Sequence, residues 1–511
     1  MVRFYSLLSR AHQKVHIMTQ CVGATPLVRD PLVTGSVNDK KLFFAPRRET
    51  EIFYVYGVGL PIQSTAKWLR RDRCHQLIFI EDERERLDCF SQTIEAIRLL
   101  EDPQVKLVFL QKESLEEAIG EGLYRPFEFL TMPGKNRLFA SHFLDLKMNV
   151  EHKASLYREY GASHAQNILK NGTLPALDGH ALKGKLKNVP AIICGAGPSL
   201  DKNIDVLKTV GNKAAVFAGG SALQLLIEER VSLDFGGSID PHPPEQSFPL
   251  LHCPLFFQNQ TAPSLLSRAK GPLIRMGPSG GLCLERWLTP DLPLFDAGTH
   301  VAAFLTHVAQ FLGCTPIIFV GMDGCYSKSQ IYFGQRRDCQ IRESLTVVDR
   351  FGHTVLSCPD FLLGRRFLEH FAKTHPQTVF LNATEGGLSM KGIANRTLRS
   401  VKDQYLFEPL DLSHLLKGAL PRVLSLKSTA LLNSFVKCQK ICKDPSLFFN
   451  RDLSQEVFYQ FVLVPNWEVW RCFLQRRDMV EAMADPSFEK WVQRFIFFRT
   501  ICEHYGRFLS T

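Results

Sequence analysis

Apolar residues recur with two different periods along the chain, and the switch between them marks its organisation. From Glu51 a five-residue apolar run, Ile52 to Tyr56, ends in Gly57-Val58-Gly59. A helix-period stretch to Arg70 follows, and a second run, Leu77 to Ile80, ends in Glu81-Asp82. Runs of this length with β-rich residues predict buried strands, and strand, glycine turn, helix and strand with a terminal acid is the opening of a Rossmann-like βαβ unit. Lys106 to Leu110 adds a further strand. Such a unit either has room for a nucleotide or S-adenosylmethionine, with Glu81 on a ribose hydroxyl, or is purely structural. The first ~45 residues carry glycine, proline and charges without a period and predict an irregular lead-in.

Residues 139–187 read as helices joined by polar loops, closing in the basic segment Gly179 to Asn188. They predict a helical connector between an amino-terminal Rossmann-like domain over 1–138 and a central domain over 188–400. In the central part strands are predicted at Val189–Cys194, Ala214–Phe217, Leu233–Ile239, Leu255–Gln258, Leu273–Met276, Pro316–Val320 and Thr378–Leu381. Helices at Lys202–Val210 and His300–Leu312 alternate with them. Alternation of this kind predicts an α/β fold with a mostly parallel sheet and helices on both faces. From about Val401 glycine nearly vanishes and apolar residues recur at helical spacing, as in Val457, Phe461, Val464, Trp467, Trp470 and Phe473. Residues 401–511 are therefore expected to be a helical domain whose aromatics form a core or a partner groove rather than a base-stacking platform.

Composition narrows the class. Of 511 residues 45% are hydrophobic and 22% charged, which fits a folded protein of several domains and neither a disordered chain nor a multi-spanning membrane protein. The longest apolar stretches, such as Pro316 to Gly321, have the length of buried strands and predict no membrane span. Arg10, His12, Gln13, Lys14 and His16 interrupt any apolar run at the amino end, so no signal peptide is expected and the cytoplasm is the expected compartment. The 14 cysteines are scattered and predict reduced thiols; Cys438 and Cys442 lie close together but lack a second pair or a histidine at zinc spacing. The net charge of +10 is spread over short clusters, Arg70-Arg71-Asp72-Arg73, Arg336-Arg337 and Arg365-Arg366. A nucleic-acid binder would gather it into a stripe interleaved with aromatics.

Open parallel sheets bind ligands outside the carboxyl ends of their strands, so the residues just after each predicted strand carry the most weight. After Val189–Cys194 comes Gly195-Ala196-Gly197-Pro198-Ser199, a turn into a helix whose backbone amides suit an anionic phosphate. Gly195 and Gly197 allow close approach, Pro198 stiffens the turn, and Ser199 caps the helix or donates to a phosphate oxygen. Later strands end in Gly219-Gly220-Ser221, Asp240-Pro241-His242, Gly321-Met322-Asp323 and Asn382-Ala383-Thr384-Glu385-Gly386-Gly387. One such turn is explained as well by a tight strand-to-helix connection. Five on one rim predict a ligand site with Ser221, Asp240, Gly321, Asp323, Thr384 and Glu385 beside the first turn.

In this order, Ile193 to Asp201, Ser238-Ile239-Asp240-Pro241, Leu312-Gly313 through Gly321-Met322-Asp323, and Asn382 to Gly387 resemble the motility-associated-factor (Maf) glycosyltransferases. These share a domain with the MptE-like 6-hydroxymethylpterin diphosphokinases. The resemblance covers roughly residues 185–400 and, more loosely, the part from Glu51. It implies a central domain similar to bacterial sialyltransferases. It also implies transfer of a nonulosonic, sialic-acid-like sugar from a CMP-activated or other nucleotide-sugar donor to a protein hydroxyl, with flagellin the acceptor in the longer members. His353, in Phe351-Gly352-His353-Thr354, stands about where those sialyltransferases have their catalytic histidine, and is the implied base. His300 and His242 are alternatives, and Arg336 and Arg337 are candidates to neutralise a phosphate or the sugar carboxylate.

Three positions depart from the sialyltransferase pattern. Ala196 replaces an Asn, Asp240 stands for an Asn before Pro, and Tyr326 comes one place later after Asp323, which leaves the nucleotide open. No cofactor is implied for a transferase. The diphosphokinase side of the resemblance implies instead an ATP-dependent enzyme with Mg2+ held by Asp240 and Asp323. A third reading is a non-catalytic member that binds a nucleotide-sugar, or a protein partner through its aromatic tail.

Overall fold

The computed structural model describes residues 51–58, 62–72, 75–110, 127–132, 135, 157, 161–243, 248–326, 345–412, 414–417, 419–467, 469 and 486–509. The chain divides into two compact units, Met1–Glu159 with Asn433–Gly506 and Tyr160–Leu432 with Arg507–Thr511.

In the first unit β1 (Ile52–Tyr56), β2 (Gln76–Glu81), β3 (Val105–Phe109) and β4 (Phe127–Thr131) form a parallel sheet in the order β3-β2-β1-β4. Every residue of β1 is buried. Phe53 and Val55 pack with Trp68, Leu77 and Phe79 on one face, and Ile52, Tyr54 and Tyr56 pack with Ile78, Ile80 and Phe127 on the other. A strand covered on both faces reads as a continuous apolar run, which is why this stretch shows no alternation. The Rossmann-like arrangement read from the sequence is present. In the carboxy-terminal segment of this unit the aromatics form a core: ring centroids lie 5.0 Å apart for Phe435 and Phe458 and 5.4 Å apart for Trp467 and Phe497. Trp470 and Phe473 lie outside the described residues.

The second unit is built on nine parallel strands in the order β15-β14-β11-β6-β7-β8-β9-β10-β5. They are β5 (Leu177–Asp178), β6 (Ala191–Cys194), β7 (Ala215–Gly219), β8 (Phe235–Ser238), β9 (Leu255–Phe257), β10 (Leu273–Arg275), β11 (Ile317–Val320), β14 (Phe380–Asn382) and β15 (Ala394–Asn395). Side chains of β6 alternate between two cores. Ile192 and Cys194 join Leu200, Ile204, Leu223 and Leu226 on one face, while Ala191 and Ile193 join the helix Val301–Leu312 on the other. An antiparallel hairpin, β12 (Leu345–Val348) and β13 (Thr354–Ser357), comes in the chain between the neighbouring strands β11 and β14 and forms a sheet of its own. After the edge strand β5 the chain enters the middle of the sheet at β6, builds outward to β10, and returns to β11 on the other flank of β6. The strand order therefore reverses between β6 and β11, where open α/β sheets leave a crevice at their carboxyl ends.

The unit boundaries differ from those read in the sequence. The described part of 139–187 is no connector, because the helix Gly161–Gly172 is bonded into the strand-end loops of the large sheet. Asn167 Nδ2 donates to the carbonyl of Gln260 (2.9 Å), and Asn171 Nδ2 donates to those of Asn259 (2.8 Å) and Thr261 (2.6 Å). β5 then pairs with β10 as an edge strand. Residues 401–432 likewise stay with the large sheet, tied by mutual backbone bonds between Ala176 and Arg422 at 3.2 and 2.9 Å. Among the described residues no helix is long and apolar enough to cross a membrane.

Candidate functional site

The switch point brings two of the predicted strand ends into direct contact. The amide of Gly197 donates to the carbonyl of Gly321 (2.8 Å), and Asp323 reaches across to the turn. Asp323 Oδ2 accepts from both the hydroxyl of Ser199 (2.8 Å) and its amide (3.2 Å). Gly197 is required here, since a Cβ would lie 2.0 Å from Asp323 Oδ2 and 2.6 Å from the carbonyl oxygen of Gly321. Burial raises the pKa of Asp323, against the pull of the Ser199 hydrogen bonds and of Lys202.

The turn thus differs from the sequence expectation. The amides of Gly195, Gly197, Ser199 and Leu200 all have protein acceptors, and a carboxylate sits where a bound anion was expected. Ser199 is not the cap either: Gly197 holds that position, Pro198 follows it, and the helix is a 3-10 turn, Pro198–Asn203, before a short α-helix, Ile204–Lys208.

The segment after β14 closes the other side. The hydroxyl of Thr384 accepts the amide of Met322 (3.0 Å). Glu385 Oε1 accepts from Asn203 Nδ2 and from the amide of Leu398, both at 2.9 Å, and its carbonyl accepts from Lys202 Nζ (2.9 Å). Thr384 and Glu385 therefore fix the rim. Gly387 has φ +64°, and a Cβ there would lie 2.2 Å from the carbonyl oxygen of Asp323. Ser221 opens the helix Ser221–Glu228 and is half-buried.

Asp240 is exposed and forms a local turn, its Oδ1 accepting the amide of His242 (2.8 Å). It follows β8, whereas Asp323 follows β11, and two strands lie between them. Three strand spacings are about 14 Å, too far for both carboxylates to ligate one ion, so the Mg2+ pairing expected under the kinase alternative does not fit these residues.

The hairpin turn carries two groups that sequence reasoning did not single out. Asp349 Oδ1 accepts the amides of Phe351 and His353, both at 2.8 Å, and its Oδ2 lies 3.2 Å from His353 Nδ1. Burial works against ionisation of Asp349, but these amides and the imidazole hold its pKa below the usual carboxylate value. The second group is Arg350, whose amide donates to the carbonyl of Gly387 (2.9 Å). That bond fastens the turn, and with it His353, to the rim beside Asp323. The imidazole itself is exposed. The sequence signal for this turn is an Asp four residues before a His with glycine between them, the composition of a side-chain-stabilised turn.

The remaining candidates are placed as follows. His300 Nδ1 accepts the amide of Ala303 (3.1 Å) as the cap of Val301–Leu312, and burial pushes its pKa down to about 4, so it is spent as a cap. His242 Nε2 is hydrogen-bonded to the hydroxyl of Ser163. Arg336 and Arg337 lie outside the described residues.

In the first unit Glu81 is fully buried and accepts from Lys135 Nζ, which also reaches Asp82 Oδ1 (2.7 Å) and Glu83 Oε1 (2.9 Å). Glu81 thus carries an internal ammonium in place of the ribose hydroxyl read from the sequence. The three carboxylates lie close enough together to suit a cation, and that lysine occupies them.

Residues 163–329 match the family model of the 6-hydroxymethylpterin diphosphokinase MptE-like proteins. The match contains the β6/β11 switch point and stops before the hairpin. No curated protein matches the chain. Among solved structures the chain is similar to a Maf glycosyltransferase from Magnetospirillum magneticum AMB-1, at 14% identity and a TM-score of 0.50 over 90% of this chain and 80% of that one. Both findings agree with the resemblance read from the motifs, and the second agrees with the fold.

Proposed function

We propose that the second unit is a nucleotide-sugar-dependent glycosyltransferase that moves a nonulosonic sugar from a CMP donor to a protein hydroxyl. The observation that carries this reading is the Asp349–His353 pair, displayed on a turn fastened to the rim of the switch-point crevice. A carboxylate on Nδ1 fixes the imidazole tautomer and leaves Nε2 as the proton acceptor, the arrangement that general-base catalysis needs. In the transfer the acceptor oxygen forms the new bond to the anomeric carbon while the bond from that carbon to the phosphate oxygen breaks. The electron pair leaves with CMP, the proton passes to His353 Nε2, and Asp349 stabilises the resulting imidazolium.

The donor lies in the crevice against the Gly195 to Ser199 turn and Gly321 without calling on the turn amides, which are already bonded, and Ser221 and Asp240 are available to ribose or sugar hydroxyls. Asp323, Thr384 and Glu385 act as positioning residues. The transfer needs no metal. The cytoplasm is the proposed compartment, supported by the described cysteines, which are all free thiols.

His353→Ala should cut turnover of a CMP-nonulosonic donor by about a hundredfold or more with nearly unchanged affinity for CMP. An unchanged turnover number would remove His353 as the base. The pterin diphosphokinase reading, favoured by the family match over 163–329, is separated by chelator: a kinase loses turnover and the transferase keeps it.

A further inference from the structure

We infer that Arg350 recognises an anionic group of the donor, its guanidinium taking either the phosphate or the sugar carboxylate. This rests on the donor site proposed above and deepens it. The position is set by backbone: the amide of Arg350 is bonded to Gly387, and Gly387 packs directly on Asp323 at the crevice. Asp349 fixes the same turn from its other side through the amides of Phe351 and His353.

The side chain is spent on nothing internal. Nη1 of Arg350 is buried and has no hydrogen-bond partner, and the contact of the guanidinium is with the ring of Phe351, 5.5 Å from its centroid. Arginine stays charged at every accessible pH, and a buried N–H without an acceptor is a cost that folded proteins rarely carry unless something else supplies the oxygen.

A planar cationic fork is matched best by an oxyanion with two oxygens, a carboxylate or a phosphate. The carboxylates of the rim and of the turn are already engaged. Asp323 is closed by Ser199, and Asp349 is closed by the turn amides and His353. Among the described residues a further cation near this rim, Lys202, holds the carbonyl of Glu385. Arg350 is therefore the group through which the crevice discriminates a charged donor from an uncharged sugar or nucleoside.

The test uses the full chain as wild type, Arg350→Gln and Arg350→Lys. Melting temperatures without ligand are measured first, followed by calorimetric affinities for cytidine, CMP, CMP-N-acetylneuraminate, N-acetylneuraminate and pyrophosphate. Arg350→Gln should melt close to the wild type, since it breaks no internal hydrogen bond or ion pair and loses only the contact with the exposed Phe351 ring, yet bind the anionic probes about ten- to a hundredfold more weakly. If the phosphate is the partner, CMP falls to the level of cytidine. If the carboxylate is the partner, CMP is unchanged and only the two neuraminate probes weaken. Arg350→Lys should recover more in the first case than in the second, because a point charge serves phosphate better than a bidentate carboxylate.

A wild type that binds neither CMP nor its conjugate would remove the proposed donor. Pyrophosphate and N-acetylneuraminate then still decide on Arg350, through binding that the Gln variant loses. Equal affinities in wild type and Arg350→Gln for every probe, or no binding of any anion by the wild type, would overturn the inference. So would a clear drop in the melting temperature of the ligand-free variant.

Discussion

The strand-end rim around the β1/β4 switch point of the small sheet and the β6/β11 crevice of the large sheet share a topology and differ in how their charges are spent. At the first, Lys135 is buried among Glu81, Asp82 and Glu83, and the hydroxyl of Tyr56 donates to Asp82 (2.7 Å). Burial and Asp82 together push the Tyr56 pKa up to about 12. The pKa of Lys135 rises although burial opposes it, because three carboxylates surround the ammonium. At the second, Asp323 is closed off by Ser199, but Arg350 keeps an unpartnered nitrogen and His353 projects into solvent on its carboxylate. Parallel strand order places a potential site in both sheets. Each keeps one buried atom without a hydrogen-bond partner, Glu81 Oε2 in the first and Arg350 Nη1 in the second, but Glu81 is already paired with Lys135, whereas no carboxylate among the described residues pairs with Arg350.

The largest expected effect lies in the closed rim. Lys135→Met leaves Glu81 buried without its cation and should cost about 3–5 kcal/mol, read as a lower urea midpoint for the first unit. The same measurement on Arg350→Gln should show almost no change, and equal losses in the two variants would break the comparison. Next in size is Gly197→Ala. Its methyl would collide with Asp323 and with backbone, and overpacking of this kind costs about 1–3 kcal/mol. Full stability in that variant would mean that the turn and Asp323 are not locked together.

Acid titration gives a smaller but sharper contrast, because the two aspartates shift in opposite directions. Burial opposes the ionised form of Asp82, yet Lys135 and Tyr56 hold its pKa below the ordinary value, so its contribution is present at neutral pH and lost as pH falls through the depressed folded value. For Asp323, burial raises the folded pKa. Its contribution is full below the ordinary aspartate value and declines as pH rises through the folded one. Lowering the pH from 7 to 3 should therefore weaken the first unit more in wild type than in Asp82→Asn. Asp323→Asn should flatten the opposite trend in the second unit, as read by urea unfolding at each pH.

The strands and their rim were legible because β1, β6, β7 and β11 are buried on both faces and leave continuous apolar runs ending in small residues. What those small residues serve was not legible. The partner of Ser199 is Asp323, 124 residues away, and that of Glu81 is Lys135, 54 residues away; neither pair leaves a local period. Arg350 and Asp349 acquire their roles only when the hairpin folds back onto Gly387. The edge strand β5 has two residues, too few to show alternation, so the large unit starts earlier than composition suggested.

If the large-sheet crevice takes the ligand and the small-sheet rim is closed, a donor should protect one sheet's strand ends and leave the other's unchanged. Amide hydrogen exchange of the full chain, with and without CMP-N-acetylneuraminate, tests it in one experiment. Added protection is expected around Gly195–Leu200, Gly321–Gly324, Asp349–His353 and Thr384–Gly387, and none at Tyr56–Val58 or Glu81–Glu83. Protection confined to the small-sheet segments, or no change in either sheet, would contradict it.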